Sequence, residues 1–194
     1  MFNIGDRIVY PMHGAGVIVD IEKVEILGKI REYFIMKMPI GDMKVMVPVD
    51  SIEEVGVRQV VDEGAMPRII KILRGNKGAM PQNWNRRYRA NMDRIRSGDI
   101  YEITAVVRNL MILDKEKGLS TGERKMLNNA KQMLVSEMVL VCGMEVEETE
   151  EFIAESVEIF DEEDSIDDDE SISDVESISD DESTNEHKEN SSII

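Results

Sequence analysis

The chain has 194 residues, with 40 acidic against 23 basic, one cysteine and two histidines, a length for one large domain or two small ones. The lone thiol, Cys142, rules out an intrachain disulfide and a cysteine-built zinc site, and His13 and His187 leave transition-metal chemistry almost without ligands. The net charge of −17 would exclude a nucleic-acid partner only if evenly spread, yet residues 145–194 hold 22 carboxylates and one lysine, whereas residues 65–131 hold 15 basic and 6 acidic side chains.

Residues up to about 58 read as β structure. Arg7–Tyr10, Gly16–Val19, Glu32–Met36 and Met43–Val47 are short runs of β-branched and aromatic residues. Gly14-Ala15-Gly16, Leu27-Gly28-Lys29 and Ile40-Gly41-Asp42 separate them, each with a glycine suited to a turn. Strands this short cannot bury a core as a flat sheet, so a small, strongly twisted Tudor- or SH3-like barrel is expected. Pro48 should end the last long strand or place it on an edge.

From about residue 57 the apolar period turns helical. Val57, Val60 and Val61 open an i, i+3, i+4 pattern that Met66, Ile69, Ile70 and Leu73 continue up to Gly75. A helix is expected over 83–97, with Tyr88, Met92 and Ile95 inward. Asp99 with Glu102 suggests a capping box for a helix over 100–115, and Ser120 with Glu123 a second one. The stripes Ile103, Val106, Val107, Leu110, Met111 and Met126, Leu127, Met133, Leu134, Met138 face a common core, to which Phe152, Ile153 and Val157 can add. The sum is an α+β chain: a barrel over 1–58, a compact helical domain over 59–160, and a tail over 161–194. That tail repeats Glu-Ser-Ile-Ser-Asp at 170–174 and 176–180, and is too acidic and too poor in large apolar residues to offset its ordering entropy, so disorder is expected. It could solubilise, bind a basic partner, or fold back on the basic middle of the chain.

No apolar run approaches the ~18 residues of a membrane span, and the start, Met-Phe-Asn-Ile-Gly-Asp-Arg, lacks a signal-peptide profile. A cytoplasmic monomer with no membrane partner and no cofactor is expected. No nucleophile–base pair or metal-ligand spacing stands out, so an enzyme is not expected. Tyr10-Pro-Met-His-Gly-Ala-Gly16 lacks the Lys-Ser/Thr ending of a phosphate loop and reads as a strand turn.

The chemistry-bearing stretch is Pro81-Gln-Asn-Trp-Asn-Arg-Arg-Tyr-Arg89, which contains the only tryptophan. A helix starting near Asn83 offers backbone N–H groups to phosphate. Arg86, Arg87 and Arg89 add counterion-releasing pairs, and Trp84 is suited to stack on a base or wedge into a step. Arg124 and Lys125 form a second basic group. Equally, Trp84 could be a core residue anchoring a helix corner, with the arginines a solvated face; the protein would then be an adaptor using its barrel and acidic tail to bind proteins.

Gly5-Asp-Arg-Ile-Val-Tyr-Pro-Met-His-Gly-Ala-Gly16, Val47-Pro-Val49, Val55-Gly-Val-Arg58, Asn83-Trp-Asn-Arg-Arg-Tyr88, Gly98-Asp99 and Gly118-Leu-Ser-Thr-Gly-Glu123 occur in this order. Together they resemble the CarD/CdnL family of bacterial transcription regulators, over residues 1 to about 155. The resemblance implies that the barrel binds the β-subunit lobe of RNA polymerase through the strand holding Met46 and Pro48, with Met36 and Val24 beside it. Some family members carry arginine at the position of Met46, so an apolar contact is expected here. It also implies that the helical domain contacts promoter DNA in the minor groove, largely without reading sequence. Trp84 would be the wedge that hinders reclosure of the transcription bubble, with Asn83, Arg86, Arg87, Arg89, Arg124 and Lys125 as DNA contacts. The tail is not part of the family pattern.

Overall fold

The computed structural model describes residues 2–163. Five strands come first: β1 (Arg7–Tyr10), β2 (Gly14–Ile26), β3 (Lys29–Lys37), β4 (Lys44–Pro48) and, after the one-turn helix α1 (Ile52–Val55), β5 (Arg58–Gln59). They form one antiparallel sheet in the order β4-β3-β2-β1-β5. The expected barrel is therefore not closed, because β4 and β5 remain at opposite edges, although the α+β class and the Tudor-like layout hold. Ile8, Ile18, Phe34, Met36 and Val47 pack on its inner side. Pro48 ends β4 and β4 is an edge strand, so the missing N–H costs the ladder nothing. Leu27 and Gly28, with φ of 55° and 75°, make the two-residue turn with positive φ at both positions that suits a tight hairpin. The hairpin is longer than the sequence suggests: β2 and β3 pair from Val17↔Lys37 out to Ile26↔Lys29, with an irregularity between Ile18 and Asp20.

The helical reading of 57–61 is overturned. Gly56 takes a φ of +78° and closes α1, and Arg58–Gln59 then pairs with Val9 and Ile8. The apolar spacing misleads because its members serve two cores: Val57 packs with the sheet and Val61 with the helices. Helix begins instead with α2 (Met66–Leu73), followed by α3 (Trp84–Arg96), α4 (Ile100–Lys117), α5 (Thr121–Cys142) and α6 (Val146–Glu163). Asn83, Asp99 and Ser120 cap α3, α4 and α5 with their side chains. Only Ser120 makes a full capping box. Glu102 instead forms an ion pair with Arg94, while the Asp99 N–H donates to Ser97 Oγ. Ile103, Val106, Leu110, Leu134, Met138 and Ile153 share the helical core. α6 runs to Glu163, three residues into the segment expected as tail; the remainder of that segment lies outside the described residues.

The sheet is docked on α5. The Ala15 N–H donates to Ser136 Oγ at 2.8 Å, and that hydroxyl donates to the Met133 carbonyl at 2.8 Å. Arg7 donates to the Leu140 carbonyl. Gly14 marks the closest approach: its φ is +104°, and a Cβ there would stand 2.6 Å from Ser136 Oγ. Gly14→Ala is expected to cost about 1–3 kcal/mol through backbone strain and overpacking, read as a lower midpoint in thermal denaturation of the whole chain.

Candidate nucleic-acid interface

The first turn of α3 is positioned by side chains from α4 and α5 as well as its own. Gly75 ends the polypeptide's exit from α2, and the connection to α3 is tied down by Asn109, whose Oδ1 accepts the Gly78 N–H at 2.9 Å. Arg108, beside it, donates to the Ile72 carbonyl at 3.1 Å. Arg87 reaches back from α3 to the carbonyls of Pro81 and Gln82, each at 3.2 Å. Asn83 Oδ1 then accepts the Arg86 N–H at 3.1 Å and starts the helix.

Trp84 follows directly, and a polar chain fixes it. Its indole N–H donates to Ser120 Oγ at 2.9 Å. Ser120 in turn donates to Glu123 Oε2 at 2.8 Å. Glu123 Oε1 accepts from Arg87 Nε at 2.7 Å and lies 2.7 Å from a terminal guanidinium nitrogen of the same arginine. Burial pushes the Glu123 carboxyl up, but the hydrogen bonds from Ser120 and Arg87 together outweigh it, and the group sits below its ordinary value. Tyr88 supports the ring at a centroid distance of 5.5 Å. The indole is nevertheless 43% exposed. Trp84 is thus neither of the two things its sequence context suggested by itself: its indole N–H is anchored, yet the residue is exposed. A held ring of this kind gives up little conformational entropy when something stacks on it.

Arg86 and Arg89 on α3, and Arg124 and Lys125 on α5, are exposed. Arg124 pairs with Asp114 at 3.2 Å at the surface, a contact worth little in water. Since Trp84 touches Ser120, the N-terminal ends of α3 and α5 lie side by side, and their partial positive charges add to those cations. Arg87 does not belong to this surface. Only 7% exposed and committed to Glu123, Pro81 and Gln82, it holds the site from beneath. The expectation that it contacts DNA is corrected on that ground. The residues missed at the level of sequence are Ser120, Glu123 and Tyr88. The Ser-x-x-Glu spacing signals a cap, but nothing local shows that the cap's hydroxyl, 36 residues on, receives an indole.

On the sheet, pairing of Ile35 with Met46, Tyr33 with Pro48 and Arg31 with Val24 puts Met46, Pro48 and Val24 on one face. Met46 is exposed, while Pro48 and Val24 are half-buried. Met36 pairs with Val45 on the opposite face and is fully buried in the sheet core. Its expected part in a polymerase contact is therefore corrected: it shapes the strand from behind.

Residues 2–61 match the family model described as CarD-like/TRCF RID domain, and residues 68–154 match the one described as CarD, C-terminal domain. YdeB of Bacillus subtilis (strain 168), described as a candidate transcription factor, is 41% identical over 152 residues, which is 78% of this chain and 99% of that protein. The chain belongs to the CarD family. Membership makes it a transcription regulator, and both matched regions meet at the docked surface between the sheet and α5. Residues beyond 154 lie outside both family models. Among the described residues, no helix is long and apolar enough to cross a membrane.

Proposed function

We propose that this CarD family chain binds the β-subunit lobe of RNA polymerase through the face carrying Met46, Pro48 and Val24. In this reading it holds promoter DNA at the upstream edge of the transcription bubble through Trp84. Arg86, Arg89, Arg124 and Lys125 attract the phosphates without reading bases; Asn83 sets the helix end from which the first two project, and Ser120 that of the other two. The observation that carries the reading is the exposed indole, 43% open yet anchored to Ser120, among cations in the basic third of the chain. Opening a base step costs a few kcal/mol, and stacking an aromatic ring on a base returns ~1–3 kcal/mol. A net gain near ~1.4 kcal/mol shifts the open-complex equilibrium about tenfold, the scale expected of a regulator that tunes many promoters.

Trp84→Ala tests this. Open-complex lifetime measured with RNA polymerase should fall about tenfold, while polymerase binding stays unchanged. Thermal stability should fall only modestly, because much of the ring already faces water. An unaltered lifetime would overturn the reading, and so would extensive unfolding, which would make Trp84 a core residue. The wild-type indole, the only one in the chain, should also be quenched when forked DNA and polymerase are added together.

A further inference from the structure

The 41% match to YdeB covers almost all of that protein and leaves about a fifth of this chain unmatched. The described helices end at Glu163, and residues 164–194 then carry 12 carboxylates against Lys188. The face around Trp84 has the opposite character. Among the described residues, Arg58, Arg87, Arg94 and Lys77 have acidic partners, but Arg86, Arg89 and Lys125 have none within ion-pair distance. These three cations, with Arg124, surround two adjoining helix N-termini that share the Trp84–Ser120 hydrogen bond. A surface with that many uncompensated charges attracts any polyanion, and the chain carries one of its own.

We propose that residues 164–194 occupy the basic face around Trp84 in the free protein and are displaced from it by DNA. The proposal rests on the reading of that face as the DNA-binding one. Charge complementarity selects the occupant: the segment's net charge is −11, and the stretch over 65–131 is +9. Length permits it, since 31 residues reach up to roughly 100 Å when extended, several times the radius of a domain of this size. The connection after α5 folds α6 back so that Ile153 and Val157 enter the same core as Met126 and Leu127. The acidic segment therefore departs from an element already packed against the helix that bears Arg124 and Lys125. A tethered anion is present at an effective concentration near the millimolar range, which favours this chain's own segment over that of a second copy. Such contacts are ionic and weaken steeply with salt. The outcome is a brake: DNA captures the face only where many phosphates are offered together, as at an opened promoter held by polymerase.

The test compares the full chain with a full-length variant in which every Asp and Glu from Asp164 to Glu189 is replaced by Asn or Gln. Without DNA, NMR at about 50 mM salt should show differences concentrated at the indole N–H of Trp84 and the amides of Arg86, Arg89, Arg124 and Lys125. They should vanish near about 0.5 M salt. Superimposable spectra at low salt would overturn the proposal, and differences that grow with protein concentration would overturn it in favour of a second copy's segment. Binding of a short duplex with a forked end, followed at low salt, should be about tenfold tighter for the neutralised variant, with the gap closing as salt rises. If both chains bind DNA equally and the spectra coincide, the tail assignment fails while the DNA reading stands. If neither binds DNA, that reading fails, and the spectra alone decide whether the segment docks.

Discussion

Replacing Glu123 by glutamine is expected to lower the stability of the chain by about 3–5 kcal/mol at neutral pH, and to free the Trp84 ring. Glu123 is 2% exposed and faces Arg87, which is 7% exposed. The amide keeps the shape of the carboxylate but removes its charge, which leaves a buried guanidinium without compensation. The expected loss exceeds that of any surface pair in the molecule. Adding Arg87→Met should recover part of it, because no buried charge then remains; equal or greater loss in the double variant would show that the pair is not the cause. The same change touches the indole. Ser120 now meets an amide that can donate as well as accept, so the hydroxyl that receives the Trp84 N–H loses its fixed direction, and tryptophan emission should shift to the red.

Acid should act on the same contact. The folded-state value of Glu123 is lowered relative to the unfolded chain, where a glutamate titrates near about 4.3. Its contribution to stability is thus complete above that pH and disappears as pH falls through the lower folded value. Thermal midpoints measured from neutral pH downward should decline below about pH 4 more steeply for the wild-type chain than for Glu123→Gln. Parallel curves would mean that other carboxylates dominate acid unfolding.

How much of this was legible in the sequence depends on how local the cause is. Helices α3 and α4 are placed within about two residues of their ends, because Asn83 and Asp99 state the starts and Gly98 and Gly118 the stops, whereas for α5 Ser120 states the start alone. The core stripes were legible for the same reason: Leu110, Leu134, Met138 and Ile153 recur at helical spacing and are all fully buried. Val57, Val60 and Val61 have the same spacing without the same cause. Val57 serves the sheet core and Val61 the helical core, on either side of a short strand, Arg58–Gln59, whose partner β1 no local window contains. Sheet closure failed likewise: the four longer strands were legible, but β4 and β5 stay at opposite edges of the sheet, an arrangement that no local window determines. At the site, Trp84 and its flanking cations announced themselves by composition. Arg87 did not announce its burial, since an arginine one position from Arg86 looks identical until Glu123, far along the chain, takes it inward.

Uncoupling the sheet from the helices is the other large expected effect, and Glu137 is where it should be done. This side chain is 2% exposed. Its carboxylate accepts from Arg58 at 2.6 and 2.8 Å and from the Val61 N–H at 3.2 Å, while Arg58 also donates to the Gly98 carbonyl at 2.7 and 3.0 Å. One carboxylate on α5 thereby gathers β5, the segment leaving the sheet and the turn between α3 and α4. Glu137→Leu should cost about 3 kcal/mol, near the low end for a broken buried pair because Arg58 retains Gly98 and some access to water. In calorimetry, a single wild-type transition should become two, with the sheet melting first; one transition at an unchanged midpoint would show that Ser136 and Arg7 hold the junction unaided. Arg58→Met added to Glu137→Leu should restore part of the stability, since an apolar pair of similar volume is often no worse than a buried ion pair. The functional consequence follows from tethering. If polymerase holds the sheet and DNA meets Trp84, a rigid junction presents the indole at a fixed place, and a loose one spreads it over a larger volume and lowers its effective concentration. Glu137→Leu should therefore shorten open-complex lifetime at temperatures below the first transition, with polymerase affinity and the local environment of Trp84 both unchanged.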